Sequence, residues 1–131
     1  MNPVREQIRS MLRVEPRDSG FRALFDVSPS LNVLPDHFPN RPILPGICMI
    51  QAVLLAGAVR QGVSEFRVRL LKNVKWLQPI EPGQQVVIDA EMISVDGGEF
   101  QIKAKLSVSE KRCAEFSLIV CPVLAEEGVG R

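Results

Sequence analysis

Between Ile47 and Val59 the chain carries one polar residue, Gln51, in a run otherwise made of aliphatic, sulfur-bearing and small residues. Such a helix is apolar on every side, and a helix of that kind is surrounded by protein rather than laid on a surface. It is too short to cross a bilayer core of about 30 Å. The spacing therefore predicts a central helix over residues 46–61, opened by Pro45-Gly46 and closed by Gln61-Gly62, with the rest of the chain folded around it.

The remainder has the material to do so. After Gly62 the texture turns to β. Phe66 to Trp76 is strand-like, and Val86, Ile88, Ala90 and Met92 alternate with more polar neighbours. Asp96-Gly97-Gly98 is a hairpin signal, and Phe100, Ile102, Ala104, Leu106 and Val108 again give one dry and one wet face. Ala114, Phe116, Leu118 and Val120 follow a second reversal. Upstream, Val4, Ile8, Met11 and Leu12 recur at helical spacing, which predicts a helix over residues 1–14, and Phe21 to Val27 has strand character. The class is α+β, an antiparallel sheet wrapped around a long buried helix. At 131 residues and 46% apolar content the chain suffices for one domain, with residues 125–131 expected as a flexible tail.

Sixteen basic against fifteen acidic side chains leave a net charge of +1, which gives no global drive toward nucleic acid or anionic membrane. Cys48, Cys113 and Cys121 are odd in number and widely spaced in apolar sequence, which argues against a disulfide framework. With a single histidine, a zinc site is not expected, and no metal or redox cofactor is implied. The arginine-rich N-terminus lacks the apolar core of a secretory signal, so a cytoplasmic location is expected.

The reactive candidate is the segment leading into the central helix. Asp36-His37-Phe38-Pro39-Asn40-Arg41-Pro42-Ile43-Leu44-Pro45-Gly46 holds the histidine in a stretch that its prolines keep extended. It ends where the first amides of a helix have no intrahelical acceptor, so a base and an oxyanion donor lie close in sequence.

These residues resemble the hotdog-fold 3-hydroxyacyl-(acyl carrier protein) dehydratases of the FabZ and FabA type. His37 to Gly46 is similar, without a gap, to the family motif H-F-P-x-x-P-x-x-P-G, and Gln78-Pro79-Ile80-Glu81-Pro82-Gly83 is similar to the family turn R-P-V-x-P-G-D. The resemblance covers nearly the whole chain and implies a hotdog fold. It also implies that His37 removes the α-proton of a 3-hydroxyacyl thioester while the Gly46 amide polarises the carbonyl. Fourteen positions after the histidine the family carries glutamate or aspartate, and this chain has Gln51. An amide can orient a hydroxyl or a water but cannot return a proton, so Gln51 is either a substrate-orienting group or a buried amide closing hydrogen bonds.

The family places its sites at a dimer interface, histidine from one protomer and carboxylate helix from the other. The expected partners are accordingly an acyl carrier protein (ACP) bearing the acyl chain and a second copy, as a homodimer or trimer of dimers, or a heteromer with a FabZ-like paralogue. Phe38, Pro45 and Trp76 are candidate substrate contacts, although Trp76 and Leu77 are also expected to pack in the core. Arg67, Arg69, Lys72 and Lys75, with Arg41 and Arg60, are either a solvated face or a docking patch for the acidic carrier protein. Cys48 reads as a small core residue, with a nucleophile near a helix start as the alternative. Two other functions stay open: thioester hydrolysis at the same site, and a non-catalytic acyl-ACP-binding subunit.

Overall fold

The computed structural model describes residues 3–30 and 43–123. Three candidate site residues, His37, Phe38 and Arg41, lie outside the described residues, as does the tail 125–131.

Among the described residues, two α-helices and six strands follow in the order α1 (Pro3–Ser10), β1 (Leu12–Arg17), β2 (Gly20–Asp26), α2 (Gly46–Gln61), β3 (Glu65–Trp76), β4 (Gln85–Val95), β5 (Glu99–Val108) and β6 (Lys111–Val123). The strands form one antiparallel sheet in the order β1-β2-β4-β5-β6-β3. Neither helix is long and apolar enough to cross a membrane.

The N-terminal helix is shorter than the periodicity predicts. It stops at Ser10, the Met11 amide donates to the Ile8 carbonyl, and the Met11 carbonyl accepts from the Asp26 amide. Leu12 to Arg17 then pair with Phe25 to Gly20, so the ladder with β2 overrides a weak helical preference. Pro16 is tolerated because β1 is an edge strand, where a missing N–H need not break a ladder.

The core is the inner face of the sheet closed by α2. Phe21, Ala23 and Phe25 of β2, Val86 and Ile88 of β4, Ile102, Ala104 and Leu106 of β5, and Ala114, Phe116, Leu118 and Val120 of β6 are all buried at alternate positions. Cys48, Met49, Ala52, Val53, Leu55 and Ala56 of α2 meet them. Gly57 permits the close approach, since a Cβ there would come 3.0 Å from Cδ1 of Ile102. Gly62 ends the helix in the left-handed region, φ 76°, with its amide donating to Ala58. Across the outer face runs a row of alternating charge, Arg22, Asp89, Lys105, Glu115 and Lys75, on five successive strands. That is the pattern of a face kept in water.

Two surfaces remain open. The sequence predicts that α2 is enclosed on every side, but in the single chain Ile47 is 69% exposed and Ile50, Gln51 and Leu54 are half-buried. These four fall at i, i+3, i+4 and i+7, one continuous stripe turned away from the sheet. The second is β3, an edge strand exposed along nearly its whole length, with Val68, Leu70, Leu71, Val74 and Trp76 among its exposed side chains. Its pairing with β6 is interrupted between Val68 and Leu70 and again between Lys72 and Lys75, where Asn73 takes a positive φ of 56°.

Candidate active site

The two stretches that carry the sequence resemblance, far apart in the chain, meet at one place. The Leu44 amide donates to the Ile80 carbonyl at 2.7 Å, and both side chains are fully buried. This bond ties the approach to α2 onto the turn between β3 and β4, which Gly83 closes at φ 88°. Pro45 then caps α2 in extended conformation, φ −64° and ψ 148°, and its carbonyl accepts from the amides of Cys48 and Met49. The amides of Gly46 and Ile47 donate to no acceptor among the described residues. They form the positive end of the helix dipole.

Beside them lies a cavity of about 420 Å³ lined by Ile43, Leu44, Pro45, Gly46, Met49, Trp76, Leu77, Gln78 and Pro79. Its wall is apolar apart from these amides and Gln78, which suits an acyl chain attached to a polar carbonyl. Pro45, Gly46 and Trp76, named from sequence, come together here. Met49 and Ile43 were missed. Met49 follows Gly46 by three positions on one helix face, a signal that was available.

Trp76 departs from the core packing expected of it. It is 51% exposed, as is Leu77, because β3 is an edge and its end is turned by the irregularity at Lys72 to Lys75. The indole meets buried Phe116 at a ring-centroid distance of 6.0 Å and a tilt of 56°. It also lies across the start of α2, where a Cβ added to Gly46 would come 2.8 Å from Cζ2 of the indole. Glycine is needed at position 46 for this close approach.

Gln51 does not line the cavity. It sits on the open stripe with Ile47 and Leu54, and its side chain has no hydrogen-bond partner among the described residues. No described residue locks its amide in place. Cys48 is fully buried, and burial pushes its thiol pKa up, which disfavours the thiolate a nucleophile needs. It is a core residue.

The basic candidates divide. Arg60 lies about 20 Å along the helix axis from Gly46. Its guanidinium donates to the carbonyls of Gly20 at 2.7 Å and Arg17 at 2.9 Å, so it fastens the β1–β2 turn. Arg69 is paired with Glu99 at 2.6 Å. Arg67, Lys72 and Lys75 are exposed on β3 without an ion pair among the described residues. No group of three or more histidine, cysteine or carboxylate side chains that could hold a metal occurs among the described residues.

A family model described as ApeI-like, ApeI dehydratase, matches residues 13–117. The 3-hydroxyacyl-[acyl-carrier-protein] dehydratase FabZ of Albidiferax ferrireducens is 28% identical over 117 residues, covering 81% of this chain and 78% of that protein. Among solved structures, the dehydratase heterocomplex ApeI:P from Xenorhabdus doucetiae superposes with a TM-score of 0.67 at 18% identity, over 83% of this chain and 94% of that one. A hypothetical thioesterase with coenzyme A from Streptococcus pneumoniae gives 0.68 at 9% identity, over 90% of each chain. The two structural likenesses concern the fold.

Proposed function

The chain belongs to the ApeI-like dehydratase family and has the hotdog fold, and from that premise we propose that it dehydrates a 3-hydroxyacyl thioester carried on an acyl carrier protein. The observation that carries this reading is the apolar cavity beside the Gly46 amide, which has no acceptor among the described residues, directly after the ungapped His37-to-Gly46 motif.

In this reading the thioester carbonyl oxygen accepts from the Gly46 N–H, and His37 removes the α-proton as charge moves onto that oxygen. The enolate collapses, the double bond forms between the α and β carbons, and the β-hydroxyl leaves as water with a proton returned by the His37 imidazolium. Gln51 holds the departing hydroxyl by hydrogen bonding and cannot supply the proton. One group then serves as base and acid, and losing a separate acid costs about 10²–10⁴ in rate.

Gln51 lies on the open stripe of α2 and outside its own chain's cavity, which favours a site shared between two chains, His37 from one and position 51 from the other. The exposed β3 edge supplies a surface for such pairing. The second chain is another copy, which contributes Gln51, or a FabZ-like paralogue, whose carboxylate in that position would supply a separate acid.

The test is hydration of crotonyl-ACP and dehydration of 3-hydroxyacyl-ACP by wild type, His37→Ala and Gln51→Glu, each alone and mixed with a FabZ-like protein. Turnover lost in His37→Ala and raised about 10²-fold in Gln51→Glu is the expected result. Silence of the protein alone with a gain on mixing assigns it to a heteromeric site. Release of free thiol without conjugated product would replace dehydration by hydrolysis.

A further inference from the structure

A second cavity, of about 360 Å³, opens at the far end of α2 from the first. Leu12 of β1, Leu55 and Val59 of α2, and Val63, between α2 and β3, give it apolar walls. Its polar lining is Arg9 of α1 and Ser64. Val59 is 63% exposed there, and Arg9 makes no hydrogen bond or ion pair among the described residues. The last described residue stands at the edge of this cavity. The Val123 carbonyl accepts from the Ser64 hydroxyl at 3.3 Å, and Val123 is the register partner of Glu65, as Pro122 is of Phe66. Phe66 faces inward, buried against α2 with its ring beside Gly57.

We propose that the segment Leu124-Ala125-Glu126-Glu127 of this same chain fills the cavity, Leu124 entering it and the two carboxylates reaching Arg9. The register carries this inference. Each step forward along β6 is a step back along β3, so the next two residues fall beside Ser64 and Val63, both of which line the cavity. Leu124 is two positions beyond Pro122, hence on the face that Phe66 shares, the helix side of the sheet. Three extended residues cover about 10 Å, enough to cross a hollow of this volume from Val123 to Arg9. The sequence then supplies what each part of the wall lacks: a branched aliphatic side chain for Leu55 and Val59, and Glu126 and Glu127 for the arginine. The same chain is favoured over any separate molecule because its own strand ends at the rim, which gives it a high effective concentration there.

Hydrogen exchange of the wild-type protein, read residue by residue and corrected for intrinsic rates, is the first measurement. Amides of residues 124–127 should exchange about tenfold or more slowly than those of residues 128–131. That comparison needs no variant, so it decides even where a substitution disturbs folding. Leu124→Asp should remove the difference and lower the melting temperature by about 5–10 °C, the scale of one lost buried aliphatic side chain in a domain of this length. Arg9→Glu should lose part of the protection, and combining it with Glu126→Arg and Glu127→Arg should restore it, which a merely destabilised fold would not do. Uniformly fast exchange through residues 124–131, or a melting temperature untouched by Leu124→Asp, overturns the proposal. So does protection that rises with protein concentration, since the occupant is then the tail of a neighbouring copy. A charge swap that restores nothing overturns the pairing with Arg9.

Discussion

The guanidinium of Arg60, in the last turn of α2, donates to the carbonyl of Gly20 at 2.7 Å and so fastens the central helix to the hairpin on the far side from the cavity. A second bond, to the Arg17 carbonyl, completes the clamp. A cation so engaged is structural. Arg60→Ala should lower stability by about 1–2 kcal/mol, the scale of charged hydrogen bonds in partly wet surroundings, and leave KM for carrier-bound substrate unchanged. Chemical denaturation and steady-state kinetics check the two halves separately.

Charge reversal at Arg67 and Lys72, which form no ion pair among the described residues, should act in the opposite way. Stability should stay within about 0.5 kcal/mol. KM for an acyl-ACP should rise while that for an acyl-pantetheine holds, because long-range attraction to an acidic carrier is lost. Equal effects on the two substrates would show that β3 does not dock the carrier.

Gly20 is itself pressed against its neighbour: a Cβ there would come 2.0 Å from the Ala90 carbonyl oxygen of β4. Backbone cannot yield as a side-chain tip does. Gly20→Ala should cost about 3 kcal/mol by overpacking, read as a fall in melting temperature. An unchanged melting temperature would mean that β2 and β4 are less closely paired at this end.

At Gly46 the neighbour is an indole rather than backbone, so Gly46→Ala should fold. The added methyl displaces the Trp76 ring, and emission of the free protein should change before any ligand is added. Misplacing the thioester by about 1 Å lowers turnover about 10²-fold. Emission identical to wild type would place the ring elsewhere.

Burial pushes the thiols of Cys48 and Cys113 above the ordinary value of 9.0, while Cys121 is half-exposed. Alkylation of the native protein at neutral pH should therefore reach Cys121 first and the other two only on unfolding. As pH rises past 9.0, the unfolded chain ionises these two thiols before the folded chain does. The folded state then loses stability through that window, having lost none below it. Thiol labelling against urea concentration at two pH values tests both statements.

The fold was legible because its strongest signals agree. The all-apolar run, Pro45 and Gly62 at its ends, and period-two alternation through Val86 to Val120 leave few arrangements other than a sheet around a helix. The limits of α1 were not legible, since Leu12 and Val14 fit a helical face in sequence and turn to β through pairing with Phe25 and Ala23. The exposure of Trp76 and of Ile47 was hidden for a related reason. Hydrophobicity reports that a side chain avoids water, and it does not say whether its own chain or another molecule provides the shelter. Pairing of Leu44 with Ile80 likewise joins segments whose sequence separation conceals their contact.

The two edges of the sheet are built unequally. On β1, Pro16 lacks the N–H that an incoming strand would need, and Arg13, Glu15 and Arg17 crowd charge around it; β3 has no proline and mixes exposed Val68, Leu70, Leu71 and Val74 with four basic side chains. A sheet blocked at one border can join another only at the opposite one, and two sheets so joined would have proline at both ends. Growth from such a joint would stop at a closed pair, without the hazard of a fibre.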